Sequence, residues 1–299
     1  MGNVNVYLTL FLEYLQIEKN YSQYTISNYH DVVIEFFDTM AEQGVANVGD
    51  IQYHDARLFL TKLFEKKQSR KTIAKKISSL RSFYKFLLRE KLIEENPFAL
   101  VILPKGEKRL PEFFYETELE VLFRECSTET PLGQRNAALL ELLYATGIRV
   151  SECCSITLKD IDFSLSTVLV KGKGNKERYV PFGSNASAAL KQFIVDGRKK
   201  LLDGKPNQEA LFVNHRGGPL TARGVRTILD RMIEQSSLTG KIHPHKLRHS
   251  FATHLLNNGA DMRTVQELLG HAFLSSTQIY THVTNEALKK TYMAHHPRA

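Results

Sequence analysis

A chain of 299 residues with 42% hydrophobic content is long enough for about two domains and too apolar for a disordered protein. Its formal net charge of +8 points to a polyanionic partner, with nucleic acid ahead of a membrane surface. Three cysteines, two of them adjacent (Cys153 and Cys154), do not make a disulfide framework; with no run long enough to span a bilayer and no signal-peptide pattern, the expectation is a soluble cytoplasmic protein with no membrane partner.

Residues 3 to about 90 read as helix throughout. Val6, Leu10, Phe11, Tyr14 and Leu15 mark a first amphipathic stretch. Ser22 is placed to cap a second, with Ile26, Tyr29, Val33, Phe36 and Phe37 on one face. Gly44 and the polar residues to Asp50 break it, and Ala56, Phe59, Leu60, Leu63 and Phe64 mark a third. Ser69 caps a fourth, in which Ile73, Ile77, Leu80, Tyr84 and Leu87 step by four and three. Its other stripe is Lys71, Lys75, Ser78, Ser82, Lys85 and Arg89. Bases and small hydroxyls along one face, with few acids between, suit a phosphate backbone. An ordinary solvated surface usually mixes its signs. Lys71, Lys75, Lys85 and Arg89 are therefore the candidate DNA-binding residues.

The helical pattern lapses from Lys91 to Phe114, where Pro97, Pro104 and Pro111 and the charged run from Lys105 to Arg109 read as a linker. The expected division is a helical domain over 1–91, a linker over 92–114 and a second domain over 115–299. The second domain opens with a short helix around Leu119 and Leu122, then a strongly apolar one from Arg135 to Tyr144 that stops at Gly147. Arg149 falls at the junction with the next helix, among apolar neighbours, where a half-buried arginine usually meets an anion. Thr167–Lys171 and Glu177–Phe182 read as a hairpin, with Lys173 at the tip between two glycines. A lysine there can reach into a groove or simply be a solvated turn residue. Ala186–Leu202 is helical, and Thr221 caps a helix through Val225, Leu229 and Met232.

The stretch from His243 to His282 is the richest. His245 and Arg248 are three apart and share a helical face. Gly270-His271 closes an apolar helical pattern made by Val265, Leu268 and Leu269. Tyr280 follows after a Ser/Thr-rich segment. The tail from Glu286 carries a short amphipathic helix (Leu288, Tyr292) that packs either on its own subunit or on a neighbour. Attack on a phosphodiester needs a nucleophile, donors for the non-bridging oxygens and a proton for the leaving oxygen. Arg149, Lys173, His245, Arg248, His271 and Tyr280 offer that set, with a phenol as the nucleophile.

The segments Ala-Thr-Gly-Ile-Arg149-Val-Ser-Glu, Gly-Lys173-Gly-Asn-Lys-Glu-Arg, His245-Lys-Leu-Arg248-His-Ser-Phe-Ala-Thr-His, Leu-Gly-His271 and Ile-Tyr280-Thr-His resemble the signature boxes of the tyrosine recombinase (phage integrase) family, and of its Xer branch in particular. The resemblance covers almost the whole chain. It implies a mainly α fold: a helical-bundle N-terminal DNA-binding domain and a mainly helical catalytic domain with a small β-sheet, together a C-shaped DNA clamp. It implies that Tyr280 attacks the scissile phosphate and is joined to the 3′ phosphate, that Arg149 and Arg248 hold the phosphate oxygens, and that Lys173 is the general acid. His245 would assist proton transfer and His271 would contact the phosphate. No metal, nucleotide or other cofactor is implied. The implied partners are a double-stranded DNA recombination site, a second Xer-type recombinase in a heterotetramer that resolves chromosome dimers at cell division, and a septal DNA translocase.

Four other readings stand beside it. His245 and His249 have the i, i+4 spacing of a zinc helix, but no glutamate lies between them and Arg248 would repel the metal. A non-catalytic DNA-binding protein accounts for the basic helix and leaves the six-residue set unexplained. A mobile-element integrase of the same family, or a type IB topoisomerase, uses similar chemistry.

Overall fold

The computed structural model describes residues 3–103, 113–172, 176–204, 207–236, 238, 244–270 and 282–299, the side chains of 282–285 excepted. It divides into two compact units, Met1–Arg109 and Leu110–Ala299. The described part is mainly helical, with one three-stranded sheet. No described helix is long and apolar enough to cross a membrane.

The first unit is four helices: α1 (Val4–Ile17), α2 (Gln23–Ala41), α3 (Tyr53–Glu65) and α4 (Arg70–Arg89). Ser22 and Ser69 cap α2 and α4 by accepting hydrogen bonds from the Thr25 and Thr72 amides, which meets donors that a helix start leaves open. The core is aromatic: Phe11 packs edge-on to Phe83 at 5.2 Å, and Phe36 to Phe59 at 5.1 Å. In α1 the buried stripe is Val4, Leu8, Phe11 and Leu15, while Val6 is 61% and Leu10 43% exposed. The expected face is thus rotated, because α1 offers two overlapping apolar phases and only one meets α2 and α4. The residues after α4 also differ from the expected linker. Phe98 and Val101 are buried in this core, and Arg81 donates to the Phe98 and Val101 carbonyls at 3.0 and 2.8 Å.

The second unit is built around α6 (Pro131–Thr146), whose residues from Ala137 to Thr146 are all buried. Thr130 caps its start and Pro131 opens it, while Gly147 closes it in the left-handed region at φ +58°. Before it lies α5 (Glu116–Glu125) and after it the short α7 (Val150–Ser155). The sheet is antiparallel in the order β1 (Ile161–Asp162), β2 (Thr167–Lys171), β3 (Glu177–Pro181), with Val170 opposite Arg178 and Lys171 opposite Glu177. The predicted single helix over 186–202 is α8 (Ser184–Gln192) and α9 (Arg198–Leu201) joined by a π-turn over Phe193–Gly197. There Gln134 accepts from the Gly197 amide and donates to Asp196, both at 2.8 Å. Then come α10 (Ala222–Gln235), α11 (Pro244–Asn257), α12 (Met262–Leu269) and α13 (His282–His295). The last three share a core of Phe251, Leu255, Val265, Leu268, Leu288 and Tyr292, so the tail packs within its own subunit.

Candidate active site

Arg149 owes its place to two helix ends. Gly147 turns the chain out of α6, Ile148 is buried, and Arg149 becomes the extended N-cap of α7. Its side chain is 40% exposed. Glu152, one turn into α7 and only 4% exposed, accepts from both the Arg149 amide and Arg149 Nη1 at 2.8 Å. The carboxylate thus fixes the backbone and the guanidinium of one residue together.

Arg248 lies on α11 and is buried. Its Nη1 donates to the Gly147 carbonyl oxygen at 2.6 Å and its Nη2 to that of Leu269 at 2.7 Å. The carbonyls it meets are at the ends of α6 and α12, where helices leave acceptors unpaired and carry partial negative charge. Burial, reinforced by the charges of Arg149 and Arg178 against that of Glu152, lowers its pKa to about 10, which still leaves it cationic at neutral pH. His245 is exposed on the first turn of α11, one turn before Arg248.

Lys173, His271 and Tyr280 lie outside the described residues. The glycines directly before two of them do not. A Cβ built on Gly172 would sit 3.6 Å from Glu152 Oε1 and from Arg178 Nη1. A Cβ on Gly270, at φ +65°, would sit 2.9 Å from Arg178 Cζ. The chain therefore reaches the same cluster immediately before residue 173 and immediately before residue 271.

Two residues in this cluster carry no role in the sequence reading. Glu152 is one, legible only as an acid three residues after Arg149. Arg178 is the other. It reaches from β3 to grip Glu152 with a two-pronged contact, Nη1 to Oε1 at 3.2 Å and Nη2 to Oε2 at 3.0 Å. Burial acts to raise the Glu152 pKa, but the hydrogen bonds from Arg178 and Arg149 outweigh it and hold the carboxyl below its ordinary value. Arg149, Arg178 and Arg248 thus surround a single ionised acid, and the local excess of positive charge suits an anion. Behind them Tyr144 and His254 join α6 to α11 through a 2.8 Å hydrogen bond. His254 is buried and serves the packing.

The α4 stripe belongs to the first unit. Lys71, Lys75 and Lys85 are exposed, and Lys75 Nζ donates to Asn28 on α2 at 3.2 Å. Arg89 differs: its guanidinium bonds Glu90 at 2.7 Å and Glu18 at 3.2 Å and stacks 4.2 Å from the Tyr14 ring centroid. These contacts engage its donors, while the side chain stays 45% exposed. Among the described residues no group of three or more histidine, cysteine or acidic side chains is placed to hold a metal.

Residues 112–287 match the model of the phage integrase family, and residues 8–91 match that of the phage integrase N-terminal SAM-like domain. The chain is 62% identical to tyrosine recombinase XerC of Bacillus subtilis, over 100% of this chain and 99% of that one. It is 60% identical to tyrosine recombinase XerC of Bacillus licheniformis over the same shares. Among solved structures it resembles the XerH site-specific recombinase bound to difH substrate in a pre-cleavage complex, with a TM-score of 0.66 and 25% identity over 95% of this chain and 82% of that one.

Proposed function

The chain belongs to the phage integrase family, and on that premise we propose how it works as a site-specific tyrosine recombinase, an enzyme that breaks and rejoins DNA through a tyrosine nucleophile. The Tyr280 oxygen, its proton removed with help from His245, attacks the scissile phosphorus. A P–O bond to tyrosine forms as the P–O5′ bond breaks. Lys173 gives the departing 5′ oxygen its proton. Arg149 and Arg248 hold the non-bridging oxygens, and His271 adds a contact to the same phosphate. One phosphate ester replaces another, so the 5′ hydroxyl of a partner strand can reverse the step without nucleotide hydrolysis.

The single observation that carries this reading is the cluster around Glu152. It brings Arg149 and Arg248 together and meets the backbone at Gly172 and Gly270, the residues before Lys173 and His271. Two guanidinium groups fixed before substrate arrives lose little freedom when a phosphate binds, which is the condition for electrostatic catalysis. Neither fixed arginine has spent all its donors. Arg149 Nε and Nη2 have no hydrogen-bond partner among the described residues, and Arg248 uses one N–H on each terminal nitrogen.

The full-length likeness to XerC proteins supports the finer part of the proposal. The protein acts in the cytoplasm on a chromosomal recombination site, in a heterotetramer with a second Xer-type recombinase, resolving chromosome dimers at division under a septal DNA translocase. Lys71, Lys75 and Lys85 contact the duplex backbone, and Arg89 supports the helix that carries them. The test is a supercoiled plasmid with two copies of the host recombination site, incubated with this protein and the second recombinase. Resolution into two circles supports the reading. Relaxation without resolution points to a topoisomerase, and binding with neither points to a non-catalytic protein.

A further inference from the structure

Glu152 poses an electrostatic problem. It must be ionised to hold Arg149 by two hydrogen bonds, yet it is buried beside the seat proposed for a negatively charged phosphate. A carboxylate in that position repels the substrate and, more strongly, the transition state, whose negative charge grows during attack. Removing it frees Arg149; keeping it uncompensated opposes the reaction.

Arg178 resolves this. All the donors that it is seen to use point inward: Nη1 and Nη2 to the two Glu152 oxygens, and Nε to the Leu268 carbonyl at 3.3 Å. Its side chain is 12% exposed, so it is a counter-ion inside the wall of the site. It also touches the elements that lead to three of the candidate catalytic groups. It grows from β3, the strand that follows Lys173 in the chain. It grips α7, which starts at Arg149. It bonds the last turn of α12 and lies under Gly270, directly before His271. At Gly270 the fit is tight enough that any side chain would collide with the guanidinium.

We propose that Arg178 is a positioning residue for phosphodiester cleavage: it neutralises Glu152, so that Arg149 is held by an acid that presents no net negative charge to the scissile phosphate, and it ties the β2–β3 hairpin to the end of α12. The proposal rests on the reading of this site as the seat of that phosphate.

The test is single-turnover formation of the covalent adduct on a nicked duplex carrying the recombination site, with the second recombinase present. Arg178→Met is expected to slow adduct formation by roughly 10²-fold, the scale of losing one fixed charge contact, with DNA affinity within about twofold. Adding Glu152→Gln to Arg178→Met removes the stranded carboxylate and is expected to recover about tenfold, because losing both partners of a buried pair costs less than losing one. On a duplex whose scissile position is a neutral methylphosphonate, the Arg178→Met deficit is expected to shrink to a few fold, since there is less charge to repel.

A purely structural arginine behaves otherwise: the double variant is no faster than the single, and the deficit is equal on both substrates. Either result overturns the proposal. Should Arg178→Met not fold, Arg178→Gln keeps donors toward Glu152 and Leu268 without the charge and carries the same comparison. If wild type forms no adduct, it is the recombinase reading that fails; if wild type reacts and the variants miss the expected pattern, only the role of Arg178 fails.

Discussion

Arg248 hangs from Gly147: its Nη1 donates to that residue's carbonyl oxygen at 2.6 Å, and Gly147 is the left-handed cap of α6. The conformation of one glycine therefore sets where a buried guanidinium stands. Two residues later the same turn places Arg149. Helix termination and anion recognition are one feature here, because the open carbonyl that a helix end must satisfy is satisfied by the arginine.

Replacing that glycine should separate packing from chemistry only partly. In Gly147→Ala the new Cβ would lie 2.4 Å from Phe251 Cδ1, at a φ of +58°. The backbone penalty and the overlap together should cost about 2–4 kcal/mol, read from urea denaturation. At temperatures where the variant is still folded, DNA cleavage should fall further than the folded fraction, since the Arg248 anchor has moved. A stable variant with full activity would contradict this.

The basic stripe yields a prediction about salt. Lys71→Ala and Lys85→Ala should each lower the slope of log affinity against log salt by about 1, as expected for loss of one phosphate contact. Arg89→Ala should leave the slope unchanged and lower the melting temperature of the first unit instead, because it removes the contacts with Glu18, Glu90 and Tyr14. A slope change for Arg89→Ala equal to that for Lys85→Ala would return Arg89 to the DNA surface.

Acid should cost this fold stability through one buried histidine. His296 is buried between Tyr144 and Tyr292, 4.9 and 4.8 Å between ring centroids. His254, whose own pKa burial lowers, and Arg298, which is paired with Glu141, are the nearby basic groups. Burial lowers the His296 pKa to about 3, opposed by a backbone hydrogen bond at Tyr144 and aided by His254 and Arg298. The unfolded chain binds the proton near pH 6.5 and the folded chain only near 3, so the stabilisation is intact above about 6.5 and is lost as pH falls toward 3. Between pH 6 and 5 the slope from this residue approaches about 1.4 kcal/mol per unit. His296→Phe should flatten the fall in denaturation midpoint over that range; an unchanged fall would show that other groups carry it.

Much of this molecule is written in local patterns. The caps at Ser22, Ser69 and Thr221, the stop at Gly147 and the hairpin of β2 and β3 follow from turn and capping chemistry, which acts over a few residues. The phase of α1 does not, because Val6 and Leu10 are as apolar as Val4 and Leu8, and only the partners α2 and α4 choose between them. The π-turn at Phe193–Gly197 depends on a hydrogen bond from Gly197 to Gln134, sixty-three residues away. Glu152 and Arg178 show the same limit at the site. Each stands inside a recognisable segment, but that they are partners is a fact of tertiary structure, joining α7 to β3 across twenty-six positions. Sequence spacing reveals groups that act on one helix face; it is silent on a counter-ion supplied from another element.

The claim on which the account turns is that Tyr280 is the nucleophile. The most direct measurement is to trap the protein on a nicked duplex carrying its recombination site, digest with protease, and identify by mass spectrometry the peptide bound to the 3′ phosphate. The account predicts an adduct that survives SDS, a single modified peptide containing Tyr280, and no adduct from Tyr280→Phe at unchanged DNA affinity. An adduct on another residue, or one that persists in Tyr280→Phe, would contradict it.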